Sequence, residues 1–185
     1  MPLSIRITSL AILVYAPLTA AALAWARFGQ DRHAWVLDAP ALEWGLPARA
    51  ALSLGLGAGL AGVVVSTTPL LLERARWARA LHEELRPIVE TLSSWEITLL
   101  ALSSGFAEEL FFRGAMQPAL GLLLTSLIFG AVHTGPRRVF VAWSVWAFIM
   151  GLLFGVIFEL SGVLWGPVLA HVWINQRNMA YMRRH

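Results

Sequence analysis

The sequence predicts an all-α protein, a polytopic integral membrane helical bundle of about six transmembrane helices with a four-helix core in its C-terminal half. Three observations predict it. Hydrophobic residues make up 58% of the 185 residues and charged residues only 14%, against about 25% charge in a soluble domain. Several uncharged runs are long enough to cross a bilayer, whose apolar interior takes about 20 helical residues. The charges that do occur are gathered into connections, one amphipathic stretch and a single cluster inside an apolar run.

The first run, from Ile7 to Ala26, is twenty residues without charge behind Arg6. That exceeds the 7–15 residue core of a signal peptide, so a retained span kinked at Pro17 is expected. Residues 27–49 read as a polar loop with Asp31, Asp38 and Glu43, in which Trp35 and Trp44 suit a membrane interface. A second uncharged run covers Ala50 to Leu72. Its Gly55 and Gly59 stand in a small-xxx-small arrangement that either admits a neighbouring backbone or simply reflects a Gly-rich span.

From Glu73 to Leu92, Trp77, Leu81, Leu85, Ile88 and Leu92 recur at three- and four-residue steps among four arginines and four glutamates. This pattern predicts an interfacial amphipathic helix interrupted near Pro87. It is read as a solvated connector in preference to a gate over a site. Four further spans follow, at about Glu96–Leu120, Leu122–His133, Val139–Phe158 and Gly162–Gln176. Residues 1–95 therefore form a two-span region with its connector, and residues 96–185 the core. With the N-terminus inside, ten arginines face the cytoplasm against Arg27, Arg32 and Arg49 outside. That asymmetry favours two cytoplasmic termini.

Composition also excludes functions. There is no cysteine, which removes disulfides, thiolate metal sites and cysteine nucleophiles. The pI is near 10.5, yet a net charge of +3 forms no basic stripe, so nucleic acid is not an expected partner.

The informative cluster is Glu108, Glu109 and Arg113, three charges within the apolar stretch Gly105 to Gly114. Ionisable groups at membrane depth are costly and need a reason. On a helix Glu109 and Arg113 are i, i+4 neighbours and pair, while Glu108 is turned about 100° away and is free. If this helix turns near Leu120 and Gly121, Glu108 lies about 18 Å below the turn and His133 returns to the same depth. A second turn near Leu160 to Gly162 places His171 about 15 Å below it. One carboxylate and two imidazoles then converge near the bilayer midplane, with Phe129 sharing a face with His133 and Asn175 with His171. Residues 134–138 include Gly135 and Pro136 and suit a non-helical wall of a wet cavity.

The stretches Glu108-Glu109-x-x-x-Arg113-Gly114, Phe129-x-x-x-His133 and His171-x-x-x-Asn175 resemble, in order, the signatures of the CPBP intramembrane proteases. That family contains the type II CAAX prenyl proteases and the bacteriocin-processing or self-immunity (Abi) proteins. The resemblance covers roughly Glu96 to Asn175. It implies a glutamic-type endopeptidase in which Glu108 is the general base and His133 helps to position water. It further implies that His171 and Asn175 stabilise the oxyanion, and that Glu109 with Arg113 braces the site beside Phe129. Only two spans precede this core, and 24 residues lie between Glu108 and His133, which departs from longer relatives.

Other hydrolytic chemistries lack their residues. There is no His-Glu-x-x-His helix and no Gly-x-Ser-Gly stretch, and the aspartates Asp31 and Asp38 lie in a loop. No cofactor is expected; were zinc used, Glu108, His133 and His171 would be its ligands with one position open. The expected partners are a membrane-associated protein or peptide substrate and the bilayer of a bacterial inner membrane. Two other classes remain open: a non-proteolytic immunity or scaffold protein, and a proton-coupled transporter using midplane Glu and His. His33, His82 and His185 receive no role, Glu159 is read as a loop residue, and Trp143, Trp146, Trp165 and Trp173 as packing or interfacial residues.

Overall fold

The computed structural model describes residues 3–185, with side chains described from Ile7 onward; the Arg6 side chain that flanks the first span lies outside that set. Helix α1 (Leu3–Ala24) continues into a π-helical turn, Trp25–Gly29, and a loop leads to α2 (Leu46–Arg74). Helix α3 (Arg76–Val89) follows, and α4 (Ser94–Glu109) runs on through a π-helical segment, Leu110–Met116, into α5 (Gln117–Leu120) as one long rod. Helices α6 (Leu122–Val132), α7 (Val139–Ser161) and α8 (Trp165–Arg184) complete the bundle. Among the described residues the extended structure is one antiparallel bridge, Val36 to Val163.

Among the described residues, three segments are long and apolar enough to span a membrane: Ile7–Gly29, Leu46–Arg74 and Val139–Ser161. The expected count of six is therefore reached only halfway on length and composition. Helix α6 has 11 residues, about 16 Å of rise, which is half of a bilayer core. The Ser94–Leu120 rod bears Glu96, Glu108, Glu109 and Arg113, and α8 carries polar residues from His171 through Asn178.

The two expected turns are present. Gly121 has φ +80° and Gly162 φ +64°, left-handed backbone that glycine adopts without a Cβ penalty. The rod begins at a capping box: Ser93 Oγ accepts from Glu96 N at 3.3 Å while the Glu96 carboxylate accepts from Ser93 N at 2.8 Å. Pro87 does not interrupt α3, which runs on to Val89. Glu159 is no loop residue; it lies in the last turns of α7 and accepts a hydrogen bond from Gln117 at 3.1 Å.

Apolar side chains are as well solvated by lipid tails as by each other, so helix association in a bilayer depends on close packing and hydrogen bonds. The α2–α8 contact illustrates this. Gly57 and Ser53 receive the α8 N-terminus at Gly166, where a Cβ on Gly57 would overlap the Gly166 carbonyl. Ser53 Oγ donates to Val163 O at 2.8 Å and accepts from Gly166 N at 3.0 Å. The expected Gly55/Gly59 face is not the contact: a Cβ there meets nothing within 4 Å. Spacing alone did not distinguish which glycine of a Gly-rich helix faces its partner.

The loop between α1 and α2 is not the interfacial connection expected. It folds back onto the core, where Gln30 donates to Ala115 O at 2.8 Å and Arg32 donates to Gly114 O. Leu37 N bonds Gly162 O at 2.9 Å and Leu164 N bonds Trp35 O at 3.1 Å. Buried Ala34 and half-buried Trp35 pack with Leu110, Phe158 and Leu164, while Trp44 stays exposed. Gly114 is needed for this approach, since a Cβ would stand 2.7 Å from Ala34 O.

Candidate active site

The Glu109–Arg113 pair is the anchor of the site. Both side chains are fully buried, with Nη1 to Oε1 at 3.2 Å. Arg113 Nη2 donates to Gly151 O at 3.0 Å, and its guanidinium lies 4.3 Å from the Phe129 ring centroid. A buried charge is tolerated when paired, hydrogen-bonded and stacked in this way. The π-helical segment begins at Leu110, immediately after the two glutamates. Such irregular turns often mark functional positions.

His171 is held by Glu109, its Nδ1 lying 2.7 Å from Glu109 Oε1. Its ring stacks on Phe154 at a centroid distance of 5.4 Å and an interplanar angle of 20°. Its carboxylate partner is thus Glu109, the neighbour of Glu108. Glu109 is therefore shared between Arg113 and His171, and orients the imidazole as well as bracing the helix.

Glu108 points elsewhere, as the helical rotation requires. Its Oε2 lies 3.5 Å from His133 Nε2, with the two side chains 13% and 18% exposed. His133 caps α6 with non-helical backbone (φ −87°, ψ 49°), and its Nδ1 lies 2.6 Å from Phe129 O. A carbonyl can only accept, so Nδ1 carries a proton and Nε2 is left to exchange one with Glu108 or with water beside it. Ser144 Oγ fixes the same turn by donating to His133 O at 2.9 Å.

Glu108, Phe129, His133, His171 and Asn175 all line one cavity of about 550 Å³. Asn175 reaches it through its amide, which donates to Ser104 Oγ at 3.0 Å. The opposite wall is the apolar face of α3, including Trp77, Leu81, Leu85 and Ile88. That helix is thus a wall of the chamber, where the sequence was read as a solvated connector. Trp143 and Trp146 also line it; Trp143 meets His133 edge-on at 5.7 Å and Trp146 packs on Trp77 at 6.2 Å.

Among the described residues no three His, Cys, Asp or Glu side chains are arranged to hold a metal ion. Glu108, His133 and His171, the set considered for zinc, form no such group among the described residues. Sequence reasoning missed Tyr15, Ser104 and His82, which line the same cavity. Ser104 was discoverable, since it stands one turn before Glu108 on the same face. Tyr15 and His82 lie on helices whose docking no local pattern specifies.

The fold and this chamber define an all-helical membrane protein with a buried glutamate–histidine site. Residues 90–176 match the family described as type II CAAX prenyl endopeptidase Rce1-like, and this segment, which carries the three motifs, is similar to that family. Among curated proteins, the uncharacterized protein YpbD of Bacillus subtilis (strain 168) is 37% identical over 81 residues, 43% of this chain and 41% of that protein. The chain thus spans less than half the length of the curated relative it matches. No solved structure matches it.

Proposed function

We propose that the protein is a glutamic-type intramembrane endopeptidase that hydrolyses a peptide bond in a membrane-associated protein. The observation that carries this reading is the division of labour between adjacent carboxylates. Glu109 is fully buried and shared by Arg113 and His171, whereas Glu108 faces the cavity 3.5 Å from His133.

Amide hydrolysis needs a base to take a proton from water and donors for the oxygen that gains charge. Glu108 takes the proton, and His133 Nε2 holds the water or passes the proton to the leaving amine. On the facing helix, the Asn175 amide supplies a donor, and His171, with Nδ1 on Glu109, supplies a second from Nε2 when its ring is doubly protonated. Peptide segments enter along the apolar face of α3, with both termini of the enzyme in the cytoplasm of a bacterial cell and its bundle in the inner membrane.

Glu108→Gln preserves shape and removes the base, which contributes about 10²–10⁴-fold in rate. Terminal proteomics of membrane proteins from cells carrying wild type or Glu108→Gln tests the reading. The expected result is a set of new termini present only with wild type. Identical termini in the two strains would remove it.

A further inference from the structure

We propose that Asn178, on α8 and outside the segment similar to that family, is a substrate-binding residue whose side-chain amide donates to a backbone carbonyl of the peptide close to the bond that is cut. The proposal rests on the hydrolase reading given above and deepens it by saying how the peptide lies: extended, along one face of α8.

His171, Asn175, Asn178 and Met182 follow one another on α8 at steps of four, three and four residues, the spacing of a single helix face. All four line the chamber. Asn178 is therefore carried on the same stripe as the two groups assigned to the oxyanion, nearer the C-terminal end of the helix. At 1.5 Å of rise per residue it lies about 4.5 Å from Asn175 along the axis, and an extended peptide advances about 3.3 Å per residue. A chain whose scissile carbonyl sits at Asn175 thus passes Asn178 within about one or two residues.

The carboxamide is held from α2. Thr68 Oγ1 lies 3.1 Å from Asn178 Oδ1 and 2.9 Å from Val64 O, and its single proton is shared between these two acceptors. Asn178 Oδ1 is thereby engaged. Asn178 Nδ2 makes no hydrogen bond to the protein among the described residues and is not one of its sealed, unpartnered atoms, so its hydrogens are open to the chamber. Asn175 differs, because its Nδ2 already donates to Ser104 Oγ at 3.0 Å. A tie that only fastened α2 to α8 would use Oδ1 alone; the free amide of a side chain fixed at its other end suits an acceptor brought by a ligand. Every residue of a peptide brings one, its carbonyl. Asn178 therefore grips main chain whatever the sequence, and selection among peptides falls to the apolar side chains beside it, Leu85, Met179 and Met182.

The chain contains two asparagines, Asn175 and Asn178, so ¹⁵N-asparagine labelling of the full chain in bicelles gives one side-chain amide pair for each, assigned by the pair lost in Asn178→Leu. The Glu108→Gln protein is titrated with a peptide spanning a bond found by terminal proteomics, and the Asn178 pair is expected to move downfield as it bonds a carbonyl. In cleavage of the same peptide, Asn178→Leu, close to isosteric, should raise KM on the order of fivefold with kcat unchanged, the effect of one neutral hydrogen bond made equally in the bound and transition states. Thr68→Val, which releases the amide without altering it, should raise KM by less. An Asn178 pair that stays in place at millimolar peptide, or an Asn178→Leu enzyme with unaltered KM whatever its stability, would overturn the proposal and leave Asn178 as a fastening between helices. If wild type cleaves nothing, the hydrolase reading fails by itself. The same titration with an acetylated, amidated peptide of alternating leucine and alanine then decides whether Asn178 holds a peptide main chain.

Discussion

Replacing Arg113 by Met tests the anchor on which the site is built. The guanidinium is fully buried, 3.2 Å from Glu109, 3.0 Å from Gly151 O and 4.3 Å from the Phe129 ring centroid. Met fills much of the volume but leaves Glu109 as a buried charge with His171 as its remaining partner. Breaking a buried pair from one side costs about 3–5 kcal/mol, a factor of roughly 10²–10⁴ in the folded-to-unfolded ratio. Adding Glu109→Gln removes the stranded charge while retaining an oxygen for the His171 Nδ1. The double variant should therefore recover more than half of the loss, because the single variant's cost comes chiefly from the uncompensated buried charge. Steric-trap or denaturant unfolding in bicelles, run as a four-member cycle, gives the coupling directly. An Arg113→Met protein within about 0.5 kcal/mol of wild type, the range of an ordinary surface change, would refute the anchoring role. So would a double variant as unstable as the single.

Three other outcomes are expected. Gly57→Ala, whose Cβ overlaps the Gly166 carbonyl, should destabilise the α2–α8 contact by about 1–3 kcal/mol, whereas Gly55→Ala and Gly59→Ala should be near neutral in the same unfolding assay. Glu84 of α3 pairs with Arg137 of the loop after His133, so a Glu84→Cys/Arg137→Cys pair joined by a bismaleimide linker of about the reach of the two native side chains should hold α3 over the chamber and stop cleavage in this cysteine-free chain. Cleavage at the wild-type rate with the linker in place would show that α3 does not need to move. His82 is held below the ordinary imidazole range, first by burial and then by Arg86 and His185 against the opposing pull of Glu83. The unfolded chain then takes up its proton before the folded one does, so stability present above about pH 6.5 is lost as pH falls below it. Amide exchange of residues 76–89 should accelerate between pH 7 and 5.5 after correction for intrinsic rates, and His82→Phe should flatten that dependence.

Much of the core was legible because helix geometry is regular. Glycines at 121 and 162 fix where the chain reverses, and a rise of 1.5 Å per residue then brings His133 back to the level of Glu108. The Glu109–Arg113 pair follows from i, i+4 spacing. Tertiary choices were not legible. Nothing local says that His171 selects Glu109 over Glu108, since one residue of rotation on each helix decides it. The small-residue pattern at Gly55 and Gly59 was as good as the one at Gly57, and only the partner helix distinguishes them. Trp35 looked interfacial because aromatic residues in polar loops usually are, but Gly114 and the π-helical carbonyls offer that loop a buried seat. For α3 the apolar periodicity was read correctly and its partner was not: a helix with one apolar face serves equally to lie on a membrane or to roof a chamber.

If Glu108 activates water for peptide hydrolysis, the oxygen of that water ends in the product and not on the carboxylate, which isotope transfer reads out. Wild-type protein in liposomes is given a cleaved peptide substrate in ¹⁸O-water under single-turnover conditions, and both product and enzyme are weighed by mass spectrometry. The account predicts one ¹⁸O atom in the new carboxyl terminus, none in the Glu108 carboxylate, and no product from Glu108→Gln. Label retained on Glu108, or undiminished cleavage by Glu108→Gln, would contradict it.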